Sequence, residues 1–145
     1  MKKLLLSLII LLPALSFSQS YGKRNSLVSY YQDLGYSVYN EYNFTLKEGE
    51  EKYVDRTFYN RTFYSGTDYV ILLVPLENGV YDADLYLDFS DGTSYSKDDE
   101  EDSWAGLEFT PSYTRLMRVT AENYSSWSET YNYSFTLIIM GKDDH

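Results

Sequence analysis

Nine acidic residues crowd into YDADLYLDFSDGTSYSKDDEED, residues 81–102, with Lys97 as the only base. Carboxylates at that density can gather a divalent cation, divide protons in catalysis, or keep a strand face wet. Calcium is the candidate cofactor, because Ca²⁺ takes six to eight oxygen ligands and relieves repulsion between crowded carboxylates. Asp82, Asp84, Asp98 and Asp99 are the candidate ligands, on the expectation that the loop after the strand folds back over it. The spacing is not that of an EF-hand, which needs a third ligand, a central Gly and a closing Glu at fixed places. The other reading is a solvated strand face followed by an acidic loop that discourages edge pairing. No catalytic residue is assigned. A carboxylate pair hydrolyses glycosides when an apolar pocket keeps one acid protonated, and this segment is strongly polar. The single histidine, His145, is the last residue, and no Ser-His-Asp arrangement, H-E-x-x-H motif or Gly-rich phosphate loop occurs.

The elements that must hold these residues read as strands. Ala83, Leu85, Leu87 and Phe89 alternate with Asp82, Asp84, Tyr86 and Asp88, so a period of two sends the apolar row inward and the acids outward. Asp91-Gly92 ends that strand and Lys97–Asp102 follows as an acidic loop. Further strand-like runs occupy Tyr36–Leu46, Lys52–Tyr59, Asp68–Leu76, Gly106–Thr110, Arg115–Ala121 and Tyr131–Met140, separated by Gly-, Asn-, Ser- and Pro-containing turns. Tyr69–Val74 is apolar on both faces and is expected to be covered on both sides. Tyr131, Tyr133, Phe135, Leu137 and Ile139 share one face and read as core. Short strands at this spacing, rich in Tyr, Phe, Val, Ile and Thr, predict an all-β fold, an antiparallel β-sandwich. One helix precedes them: Leu27, Tyr30, Tyr31 and Leu34 recur at helical spacing, with Asn25 or Ser26 to cap the start and Gly35 the end. It is expected to pack across an open sheet edge or to dock a partner.

The first residues, MKKLLLSLIILLPALSFSQS, have the form of a secretory signal. Lys2 and Lys3 make the basic region, Leu4–Leu12 the apolar one, and Ser16 and Ser18 suit cleavage before Gln19. The expected division is a signal peptide at 1–18, an N-terminal segment with the short helix at 19–40, and the sandwich at 41–145. The apolar run falls short of the roughly 20 residues a membrane span needs, so no membrane insertion is expected once the signal is cleaved. Removing Lys2 and Lys3 leaves ten bases against 22 acids. That balance repels nucleic acid and anionic membranes. The absence of cysteine removes thiol catalysis and thiolate metal sites, and leaves the core alone to hold an exported chain. Sequons at Asn43, Asn60, Asn123 and Asn132 are attributed to chance in a chain rich in Tyr, Asn and Ser.

Seventeen Tyr and two Trp exceed what a core of this size consumes. Exposed Tyr and Trp make flat platforms for sugars or protein partners. The candidate platform residues are Tyr59 and Tyr64, near Arg56 and Arg61, and Tyr124 with Trp127 in the Asn123–Ser128 loop. The alternative is that most of these rings pack in strands with wet hydroxyls, and Trp104 reads as a core or edge-covering residue.

Several fragments in order carry a family resemblance: Phe44-Thr-Leu46 before Gly49, Gly66-Thr-Asp-Tyr69, Asp82-Ala-Asp-Leu85-Tyr-Leu87, Asp91-Gly92, Asp98-Asp99, Leu107-Glu-Phe-Thr110 and Tyr133-Ser-Phe-Thr-Leu137. Over about residues 42–141 the chain resembles the bacterial pre-peptidase C-terminal domain. That resemblance implies a jelly-roll-like sandwich of about seven to eight strands, accessory to secreted hydrolases, with relatives that bind calcium or matrix polymers. It departs from the family at Arg115-Leu-Met-Arg118, and the helix lies outside it. The expectation is a secreted, periplasmic or cell-surface bacterial module without catalytic activity, binding or scaffolding glycan or protein. A calcium-stabilised accessory domain is the alternative, and a carboxylate-based glycan-active enzyme the remoter one.

Overall fold

The structure, a computed structural model, describes residues 21–49 and 56–143, with the side chains of 56–58 left aside. The signal sequence, Lys52–Asp55 of the second expected strand and His145 lie outside the described residues. Eight strands form: β1 (Ser37–Leu46), β2 (Arg56–Phe63), β3 (Thr67–Pro75), β4 (Val80–Phe89), β5 (Ser94–Asp98), β6 (Ala105–Phe109), β7 (Arg115–Ser126) and β8 (Tyr133–Asp143). They make two antiparallel four-stranded sheets, β1-β8-β3-β6 and β2-β7-β4-β5. Each sheet draws strands alternately from the two ends of the chain, which is the nested Greek-key winding of a jelly roll. The expected β-sandwich is therefore observed.

Between the sheets lies one core. Tyr69, Ile71 and Leu73 of β3 and Phe135, Leu137 and Ile139 of β8 meet Ala83, Leu85 and Leu87 of β4 and Met117, Val119 and Ala121 of β7. The period-two pattern placed Ala83, Leu85, Leu87, Phe135, Leu137 and Ile139 inward. Rings close the open end, where Tyr69 stacks on Phe109 and meets Phe63 edge-on at 4.9 Å between centroids. Such aromatic pairs add ~0.5–1.5 kcal/mol each beyond burial.

A helix, α1, covers residues 21–33. Gly35 ends it with φ of +96°, donating to Gln32 O while Tyr36 donates to Tyr31 O, the paired bonds of a Schellman cap. The helix lies across the outer face of the first sheet, not along an edge. Val28 and Tyr31, with Leu27 beside them, cover Val70, Leu72, Val74, Ile138 and Met140. The doubly apolar β3 is thus covered on both sides, as its sequence required. Tyr30 and Leu34 differ from expectation: both are exposed, and Val28 takes their place on the buried face. The contact stripe is Leu27, Val28 and Tyr31, rotated from the expected face toward Val28.

Three elements shift. Within the described residues β2 continues to Phe63, four residues past the expected end at Tyr59. β5 occupies a stretch given no strand and overlaps the start of the expected acidic loop at Lys97 and Asp98; its polar Ser-Tyr-Ser-Lys-Asp sequence suits an edge that pairs only with β4. β7 continues to Ser126, so Tyr124 is a strand residue, whereas Tyr131 precedes β8 and is exposed.

Candidate functional site

Two places gather the chemistry. The first is the acidic row of β4. Asp82 and Asp84 point away from the sandwich core, yet they are not wet: 8% and 3% of their surface remains exposed. The chain between β5 and β6 runs alongside this end of β4, where Ala83 donates its N–H to Asp102 O at 2.8 Å. The Asp102 N–H in turn serves the Asp82 carboxyl. Glu122 stands directly opposite Asp84 in the β4–β7 register and is also buried, while Arg56 occupies the register position opposite Glu122 on β2.

Burial, then repulsion from Asp82 and Glu122, pushes the Asp84 carboxyl up to about 7. Burial likewise raises Asp82, against the opposing pull of the Asp102 N–H. Asp82 Oδ1 and Asp84 Oδ1 are both buried without a donor to accept from. A proton held between the two carboxyls would supply that missing donor; Tyr86 donates to Asp84 Oδ2 at 3.4 Å.

The other two proposed ligands turn elsewhere. Asp98 accepts from the N–H groups of Gly106, at 2.9 Å, and Glu100, at 3.3 Å, which shapes the start of the β5–β6 connection. Asp99 pairs with Lys97 at 3.0 Å on the surface. Among the described residues no group of three or more His, Asp or Glu stands close enough to hold a metal ion. The loop does fold back over the strand: it brings the Asp102 backbone to the pair, with the Asp98 and Glu101 carboxylates near enough to repel Asp82 but turned to other partners or to solvent.

The second place is the end of the sandwich where the β3–β4 turn meets the β7–β8 connection. Trp127 is 73% exposed, the highest value among the large hydrophobic side chains described. Its backbone is fixed: Trp127 N–H donates to Gly79 O at 2.8 Å. Gly79 has φ of +109°, and a Cβ there would come within 2.9 Å of Tyr133 Cε1 and 3.4 Å of Trp127 Cε3. Only glycine lets the turn pass between those two rings. Glu77 ties the same elements together, accepting from Tyr131 OH at 2.7 Å and from Ser134 N–H at 2.6 Å. Tyr133 OH accepts from Ser128 N–H at 3.1 Å. The ring partner of Trp127 is Tyr81, 6.4 Å away and nearly edge-on, with 51% of its surface exposed. Tyr81 escaped sequence reasoning because it sits one residue before the acidic run and looks like its boundary.

The remaining platform candidates divide. Tyr124 is exposed on β7 and Tyr64 on the turn after β2. Tyr59 is not a platform: it faces inward, stacked on Tyr42 at 4.0 Å and packed against the core. Inward alternation on β2 places it with Phe63 rather than with the outward residues. Trp104 is half-buried against the helix-covered cluster, with Lys23 Nζ 5.4 Å from its ring. Asn123 is fully buried, which excludes that sequon as a glycan acceptor.

No family model matches the chain, and no curated protein matches it. Among solved structures, the VP2 subviral particle of infectious bursal disease virus aligns with a TM-score of 0.37 and 14% identity. That alignment covers 74% of this chain, which spans about a third, 33%, of the VP2 chain.

Proposed function

We propose that this chain is a secreted bacterial β-sandwich module without catalytic activity, which binds or scaffolds extracellular glycan or protein. The observation that carries the reading is the Trp127–Tyr81 pair, two large rings left in solvent on a backbone that Gly79, Glu77 and Tyr133 hold in place. A fixed aromatic surface binds at low entropic cost, because little must be ordered when the partner arrives. Two further points support it. The signal-like N-terminus suits export, and the resemblance to the pre-peptidase C-terminal domain suits an accessory role. The non-catalytic element rests on access: among the described residues the one carboxyl raised to about 7, Asp84, is 3% exposed and out of a substrate's reach. An array of glycans and extracellular matrix proteins probed with residues 19–145 tests the proposal. Binding to a member of either class is expected, and signal at background for both classes overturns it.

A second reading, a structural calcium ion at Asp82 and Asp84, draws on their two buried oxygens without hydrogen-bond partners. Two carboxyls fall short of the six to eight oxygens Ca²⁺ takes, so backbone carbonyls and water would complete the shell. A melting midpoint that falls in EDTA and returns with added Ca²⁺ supports this reading. A midpoint indifferent to both removes it and leaves the shared proton as the account of the pair.

A further inference from the structure

We infer that the Trp127–Tyr81 surface is a subsite for a neutral saccharide, a sugar ring stacking on Trp127 and a substituent entering the adjoining cleft. This inference rests on the module reading above and narrows it from glycan or protein to one ligand class. The cleft, about 200 Å³, begins at Gly79 and Val80, which lead from the turn under Trp127 into β4 and Tyr81. Its other walls are Lys23, Pro75, Glu77, Asn78 and Ser103.

Size decides what enters. Pockets that enclose a whole small molecule begin at about 300 Å³. A cleft below that limit takes a hydroxymethyl or amide substituent while the ring remains outside, and outside is where Trp127 stands. The apolar C–H face of a pyranose lies on an indole, whose π face is electron-rich. The hydroxyls at its rim then meet the polar walls of the cleft and the hydroxyls of Ser128 and Thr130, which stand 3.3 Å apart in the β7–β8 connection.

Neighbouring chemistry chooses between ligand classes. A protein partner needs on the order of 800 Å² of surface from each side with an apolar centre. Here the cleft that begins at Gly79, against Trp127, is walled by a carboxylate, an amide, an ammonium and a hydroxyl, a pattern that suits a hydroxyl-rich ligand. Charge narrows the saccharide itself. A formal charge of −10 on the whole sequence, with Glu77 in the cleft wall, opposes sulfated and uronic-acid polymers. A neutral sugar carries no such penalty.

The chain contains two tryptophans, so Trp104→Phe leaves Trp127 as the only indole reporter. Titrating that variant with cellohexaose, chitohexaose, mannohexaose and a sulfated oligosaccharide, by fluorescence and calorimetry, tests the inference. At least one neutral oligomer is expected to bind and shift Trp127 emission to shorter wavelength. In the otherwise native chain, Trp127→Ala should weaken that binding about tenfold or more. Tyr81→Ala should weaken it several-fold, and both variants should keep the native melting midpoint because their side chains are largely in solvent. Tightest binding to the sulfated oligomer, or affinity for a neutral one unchanged by Trp127→Ala, overturns the inference. So does the absence of any saccharide binding. If matrix proteins still bind in that last case, the module reading survives its narrower form; if they do not, both fall.

Discussion

The outer faces of the two sheets solve the same problem in opposite ways. On the first sheet, Val70, Leu72, Val74, Ile138 and Met140 make an apolar face, and α1 covers it with Val28 and Tyr31. Burial of seven such side chains contributes on the order of 10 kcal/mol before the cost of ordering the helix. On the second sheet, Asp82, Asp84, Thr120 and Glu122 are buried although they point away from the core. Little apolar area is gained there, and carboxyls must lose water, so protons and backbone donors have to compensate. One face is closed by the hydrophobic effect, the other by a backbone-bonded connection over carboxyls whose proton affinity burial raises. The first should therefore be indifferent to pH, and the second should not.

Opening the apolar face should have the largest effect. Leu72→Ala removes a fully buried side chain beneath α1 and is expected to cost about 2–5 kcal/mol, by the transfer and cavity terms together. Urea unfolding reads this as a lower midpoint, and the loss should be the same at pH 5 and pH 8. A loss confined to one pH would mean that the two faces are not independent.

The acidic face should respond to pH itself. Asp84 in the folded protein holds its proton up to about 7, whereas an unfolded Asp releases it near 4. The folded state therefore binds more protons between those values, and stability falls as pH rises through that window. The effect should be on the order of 2 kcal/mol, since Asp82 shares the proton and three full pH units would be worth about 4. Asp84→Asn keeps a donor at the site and loses the titration, so its melting midpoint should stay nearly level from pH 4.5 to 7.5 while the native protein's declines. Parallel slopes in both would remove Asp84 as the cause.

This contrast also explains what the sequence made legible. Period-two alternation depends only on which side of a strand is apolar, so Ala83, Leu85 and Leu87 were read inward correctly, as were Phe135, Leu137 and Ile139. The doubly apolar β3 announced a cover on its outer face, but the helix was expected at an open sheet edge or on a partner rather than as that cover. The acidic face was misread for a matching reason. Alternation places Asp82 and Asp84 outside the core, but outside is not the same as exposed. Their burial comes from the β5–β6 connection, whose path is fixed by backbone bonds such as Ala83 N–H to Asp102 O, and nothing in residue type encodes that path. β5 escaped for a similar reason, being a polar edge strand recognisable only beside β4. At the aromatic end, Trp127 was legible as an aromatic in a turn-rich loop. Its partner Tyr81 was not, because a strand connection far away in sequence makes the pair.

The helix offers the smallest and most discriminating test. Besides its apolar contact, α1 is tied by Arg24, whose Nε and Nη2 donate to Glu41 Oε1 and Oε2 of β1 at 2.9 and 2.6 Å. Glu41 also accepts from Thr136 at 3.2 Å, and the Arg24 bond holds its carboxyl below the ordinary value. Two parallel bonds are good geometry, but both side chains retain solvent contact, and such pairs contribute only about 0.5–1 kcal/mol. If burial closes this face, a double-mutant cycle of Arg24→Ala and Glu41→Ala should give a coupling within that range, shrinking in high salt. Neither change should release the helix: amide exchange along residues 27–33 should stay protected in Arg24→Ala and be lost in Val28→Asp, which puts an unpaired charge under α1. A coupling of several kcal/mol, with loss of protection in Arg24→Ala, would show that charge holds the helix down. The difference between the two faces would then be one of degree.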